Sequence, residues 1–115
     1  MNIIDSLLSI NFSSGREGHS IKNIVLHTMV GTVSGSDEHF RDPTTQVSVY
    51  YGVGLNSVIT RWVLETDTAL QTDNEPANLQ SVGITHEDNA NTGDSIRTDA
   101  MYCASAELVA ELCQS

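Results

Sequence analysis

Ile24-Val25-Leu26-His27-Thr28 and Gln80-Ser81-Val82-Gly83-Ile84-Thr85-His86-Glu87 decide the fold. In the first, nearly every side chain is apolar rather than every second one, the pattern of a buried strand, and the run closes on a polar pair. The second alternates, placing Val82, Ile84 and His86 on one face and Gly83, Thr85 and Glu87 on the other. Ser36 to Phe40 reads as a short helix capped by Ser34 or Ser36, with Asp37 and Glu38 in its first turn and Pro43 as its stop. Val47 to Val53 and Val58 to Leu64 read as a hairpin turning at Asn56-Ser57. Thr66 to Leu79 shows no clear period and reads as a long loop, and Asp88 to Ser95 is rich in turn residues. A final helix is expected over about 99–113, capped by Thr98, with Met101, Ala104, Leu108 and Leu112 as its packing stripe. Residues 1–20, Gly/Ser-rich from Asn11 onward, are expected to wrap the surface. Strands interleaved with helices give an α/β layered domain.

The chain has 115 residues, room for one compact domain with its own core. No apolar run approaches the ~20 residues of a membrane span. Met1 to Ser14 lack a basic segment ahead of Leu7 and Leu8, so no secretory signal is expected. Fifteen acidic residues against five basic ones give a formal net charge of -10, which argues against general nucleic-acid binding. Ten of the acidic residues lie from Trp62 onward, where Arg97 is the one Lys or Arg. That asymmetry reads as a solvated acidic face, or as attraction for a cation or a basic partner. Cys103 and Cys113 fall in one expected helix, roughly 15 Å apart at ~1.5 Å rise per residue, too far for a disulfide. They are expected to be reduced core or boundary residues.

His27 ends a strand expected to be central, where it is either a hydrogen-bonded structural residue or faces a cleft mouth. His19 and His39 are expected in solvent, and His86 either in the core or on the outer side of the sheet. Glu87 shares a strand face with Thr85, so it lies at an exposed strand end or in a polar cleft, because a buried carboxylate needs a partner. Gly52-Val53-Gly54 lacks the following helix of a phosphate loop, and no Ser has a nucleophile-elbow context.

Taken in order, Ile24 to Thr32, His39-Phe40-Arg41-Asp42-Pro43, Val47 to Gly54, Asn78 to Asn89, Arg97 to Tyr102 and Ala104 to Val109 resemble the zinc-dependent N-acetylmuramoyl-L-alanine amidases. These are the type 2 amidases, related to phage endolysins and peptidoglycan recognition proteins. The resemblance covers about residues 12–113. It implies a mixed central sheet flanked by helices, a zinc ion in a surface groove, and hydrolysis of the amide between N-acetylmuramic acid and L-alanine in bacterial peptidoglycan. Zinc in such a site polarises the carbonyl and lowers the pKa of bound water. By the resemblance His27 is a zinc ligand, and Thr28, Met29, Tyr50, Tyr51 and Gln71 line the substrate groove.

The departures are specific. Thr85 stands where the family's Gly-Ile-Glu motif carries its catalytic Glu, with Glu87 two residues on as the candidate to stand in for it. Tyr50 replaces a common His, and Leu70-Gln71-Thr72-Asp73 replaces a Trp-His-Ala-Gly stretch. The family's second and third zinc ligands follow the long helix, so the expectation is a single amidase-like domain, 1–115, cut after that helix. An uncovered sheet edge beside the His27 strand is expected to favour self-association. The implied place of action is the bacterial cell wall, outside the cell or as a phage-type lysin. Two rival readings stay open, a non-catalytic peptidoglycan-binding module and a truncated, decayed amidase.

Overall fold

Strand β7 (Ser81–His86) runs through a five-stranded mixed sheet in the computed structural model, which describes residues 2–29, 31–71, 75–88 and 99–114. Ahead of it come β1 (Ile3–Asp5), β2 (Phe12–Ser13), β3 (Asn23–Thr28), α1 (Val33–Arg41), β4 (Tyr51–Val53), β5 (Ile59–Arg61), β6 (Thr68–Ala69) and α2 (Glu75–Gln80), and after it α3 (Asp99–Gln114). The sheet order is β1-β5-β4-β7-β3. β3 and β4 both run parallel to β7, β5 is antiparallel to β4, and β1 is parallel to β5. β2 and β6 form a separate antiparallel pair.

All six residues of β7 are buried. Alternation sends Val82, Ile84 and His86 toward α3, where Met101, Ala104 and Leu108 of the expected stripe are buried together with Ser105, and Leu112 is partly buried. His86 fastens the layers: Nε2 lies 2.7 Å from Ser105 Oγ and Nδ1 3.0 Å from the His27 carbonyl. A carbonyl only accepts, so Nδ1 carries the proton and Nε2 accepts from Ser105. On the opposite face, Gly52 allows a close approach, because a Cβ there would collide with the Trp62 ring. Phe40 of α1 meets Trp62 edge to face, with ring centroids 4.9 Å apart.

Several expectations change. β3 is the end strand rather than a central one, and Leu26 is 61% exposed; among the described residues only β7 pairs with it. Residues 1–20 do more than wrap the surface, since β1 extends the sheet and β2 pairs with β6. The stretch expected as a long loop holds β6 and most of α2. The hairpin forms as expected, but regular pairing is confined to Tyr51–Val53 and Ile59–Arg61. α1 begins at Val33 with Thr32 as its cap, its side chain accepting from Gly35 N at 3.0 Å. Asp37 and Glu38 therefore lie beyond the first turn. Cys103 and Cys113 are free, as expected, but exposed rather than in the core. Thr98 and most of the expected turn-rich loop lie outside the described residues.

Two charged side chains bind these pieces. Arg16 is buried and donates to the carbonyls of Glu65, Leu79 and Ser81 and to the Tyr50 hydroxyl. Asp37 accepts from Ser6 Oγ at 3.0 Å, Trp62 Nε1 at 2.8 Å and Arg41 Nε at 2.9 Å. Burial alone would raise the Asp37 carboxyl. The hydrogen bonds from Arg41, Trp62 and Ser6, with the Arg41 charge, outweigh it and hold the group below the usual carboxylate range.

The stabilising contribution of ionised Asp37 is therefore complete above the unfolded-state pKa of about 3.9 and is lost as pH falls through the lower folded value. Asp37→Asn should flatten the stability-against-pH curve below about pH 4 relative to wild type, as read by urea denaturation at a series of pH values.

Candidate active site

The register of β3 on β7 sets His27 opposite Thr85. The two lie on the floor of a cleft of about 670 Å³, with Gln71 beside them. α1 forms one wall through Thr32, Gly35, Ser36, His39 and Phe40, and Val47, Ser48 and Val49 form the other. The cleft thus opens beside the carboxyl ends of two parallel strands, where open α/β sheets commonly bind ligands.

Burial, with a smaller contribution from nearby His86, lowers the His27 pKa, so its imidazole is neutral near pH 7. Thr85 is buried. Gln71 donates from Nε2 to Ser81 Oγ, which itself donates to the Ala77 carbonyl at 2.7 Å. The Gln71 carboxamide lies across Gly83, so a Cβ at that position would collide with it. No Asp or Glu lines the described cleft.

Of the groove residues expected from the sequence, Thr28, Met29 and Gln71 do line this cleft. Tyr50 and Tyr51 do not. Tyr50 is fully buried, its hydroxyl accepting from Arg16 Nη2 and Ala69 N and donating to the Asp67 carbonyl. Burial raises its pKa, so it stays a phenol. Tyr51 sits opposite Ile84 in the core. Glu87 is likewise absent from the cleft lining. Its Oε2 accepts from Val33 N at 2.8 Å and its Oε1 from Leu55 N at 3.0 Å. It braces the positive N-terminal end of α1 against the β4–β5 turn. Nothing in the local sequence marks Arg16, Asp37 or Trp62 as parts of this framework. A basic or acidic residue next to glycines or on a small helix carries no local sign that it will be buried and bonded.

A catalytic zinc requires three protein ligands. His27 and His39 both border the cleft, while His86 has its ring nitrogens on the His27 carbonyl and Ser105. Among the described residues no group of three His, Cys, Asp or Glu is placed to hold a metal. The described residues by themselves do not fit a zinc centre.

The model of the N-acetylmuramoyl-L-alanine amidase family, Amidase_2, matches residues 17–115. The chain belongs to this family. N-acetylmuramoyl-L-alanine amidase A of Achromobacter lyticus is 32% identical over 106 residues, which cover 91% of this chain and 57% of the relative. Two solved structures share the fold. The catalytic domain of XlyA has a TM-score of 0.62 at 18% identity, and a mutant endolysin from Bacillus subtilis has 0.60 at 20%. Each match covers 79% of this chain and 64% of the other. The chain thus spans less than two thirds of the length of these relatives. The mixed sheet with flanking helices is the amidase fold expected from the sequence.

Within this amidase fold, Gly83 and Gln71 form a coupled pair. Gly83→Ala should cost about 1 kcal/mol, the low end for overpacking, because the carboxamide it forces aside is the end of a flexible side chain. In a Gln71→Ala background the same change should cost much less, because the obstacle is gone. A double-mutant cycle by chemical denaturation measures the difference.

Proposed function

We propose that this chain carries the substrate groove of an N-acetylmuramoyl-L-alanine amidase domain. The reaction of that domain is hydrolysis of the amide between N-acetylmuramic acid and L-alanine in bacterial peptidoglycan. The place of action is the cell wall, reached from outside the cell or as a phage-type lysin. The supporting observation is the open cleft beside His27 and Thr85, formed within the stretch that matches the amidase family. In this reading Thr28, Met29 and Gln71 contact the muropeptide. Zinc enters through the resemblance, with His27 as its ligand, while the described residues alone make no three-ligand centre.

A second reading, peptidoglycan binding without hydrolysis by this chain, is favoured by one feature. The described cleft has no carboxylate. Thr85 cannot act as a base at neutral pH, and both Glu87 oxygens are engaged by backbone amides. In this second reading the chain holds the muropeptide without turning it over.

Incubation with purified peptidoglycan sacculi tests this. The expected result is co-sedimentation of the chain with the sacculi and no new L-alanine amino groups. Released amino groups would overturn the binding-only reading, and failure to sediment would overturn the groove assignment.

Self-association belongs to the same proposal. β3 ends the sheet and exposes Leu26, and a second copy pairing along it would cover both. Wild-type chain is expected to associate with rising concentration in analytical ultracentrifugation, and Leu26→Lys to stay monomeric. A monomeric wild type would count against the pairing.

A further inference from the structure

Two polar side-chain atoms, His27 Nε2 and Gln71 Oε1, are buried without a hydrogen-bond partner. Both lie over Gly83: a Cβ there would stand 3.3 Å from His27 Nε2 and overlap Gln71 Oε1. The direction of the Gln71 amide follows from its neighbours. Ser81 Oγ gives its one proton to the Ala77 carbonyl, so toward Gln71 it can only accept and must meet the amide nitrogen. Oε1 is therefore the end left above Gly83. A buried acceptor left unpaired costs free energy, which a group supplied by a ligand or an ordered water would recover.

We propose that His27 and Gln71 jointly hold one hydroxyl oxygen beside Gly83, which donates a hydrogen bond to Gln71 Oε1 and accepts one from the His27 Nε2–H. A hydroxyl fits because it donates and accepts through one atom. An amide N–H lacks the acceptor and a carbonyl lacks the donor. The arrangement selects the imidazole tautomer protonated at Nε2. The oxygen comes either from a sugar hydroxyl of a muramyl ligand or from an ordered water. The first source rests on the groove assignment made under the proposed function and makes Gln71 a specificity residue. The second source does not depend on it.

The test pairs two measurements on wild type and Gln71→Met, which keeps the side-chain shape and removes the acceptor. One is calorimetric titration with N-acetylmuramyl-L-alanyl-D-isoglutamine. The other is 15N NMR of the His27 imidazole in the ligand-free proteins. If the hydroxyl belongs to the ligand, the variant binds about tenfold more weakly. If it belongs to water, affinities match but the free-protein His27 nitrogen signals differ between the two. Equal affinities together with identical His27 signals would overturn the proposal. Should wild type fail to bind the probe, the groove assignment falls, and the imidazole comparison still decides the pair. Ser81→Ala, which frees the Gln71 amide to rotate, is the second variant. It is expected to move both readouts in the same direction by a smaller amount.

Discussion

β7 is paired on both sides and covered on both faces, and the rest of the structure is arranged around that condition. A strand without access to water must satisfy its backbone through its neighbours, which here are β3 and β4, both parallel to it. Strict alternation then divides its side chains. Val82, Ile84 and His86 serve the core under α3, while Gly83 and Thr85 face the cleft. The absence of side-chain bulk at Gly83 makes room for Gln71, and at Gly52 for Trp62. Floor and core are thus two faces of one strand, and a register slip of one residue would exchange them.

The charged residues near this strand serve as anchors. Arg16 gives its hydrogen bonds to neutral oxygens, three of them carbonyls, and joins the N-terminal segment to Tyr50, Glu65 and the entry of β7. Asp37 joins α1 to Ser6 and Trp62. Glu87 joins α1 to the β4–β5 turn. Charge placed against backbone dipoles and paired donors is stabilised where bare burial would be costly. The result is a described cleft whose polar floor of His27, Gln71 and Thr85 is neutral at pH 7.

Much of the architecture was legible in the chain. The β7 alternation, the α3 stripe and the turn at Asn56-Ser57 rest on local periodicity and turn chemistry, and each appears where it was expected. The family was legible from the order of segments. The apolar run of β3 misled because hydrophobicity reports a wish for cover and not its presence; Leu26 is apolar and exposed. Tyr50 and Tyr51 misled because an aromatic in a strand next to a groove can turn to either side, and Arg16 draws the Tyr50 ring inward. α2 and β6 carry too few residues to show a period.

The sequence by itself determined the fold class, the family and the candidacy of His27, Thr85 and Gln71, because strand periodicity and segment order are properties of neighbouring residues. Only the tertiary structure decided that Glu87 caps a helix, that Arg16 is buried, and that Gln71 lies across Gly83 beside an unpaired His27 nitrogen. Those outcomes depend on contacts between residues 12 to 65 positions apart in the chain. Burial and hydrogen-bond partnership arise from that packing, and no local stretch of residues encodes them.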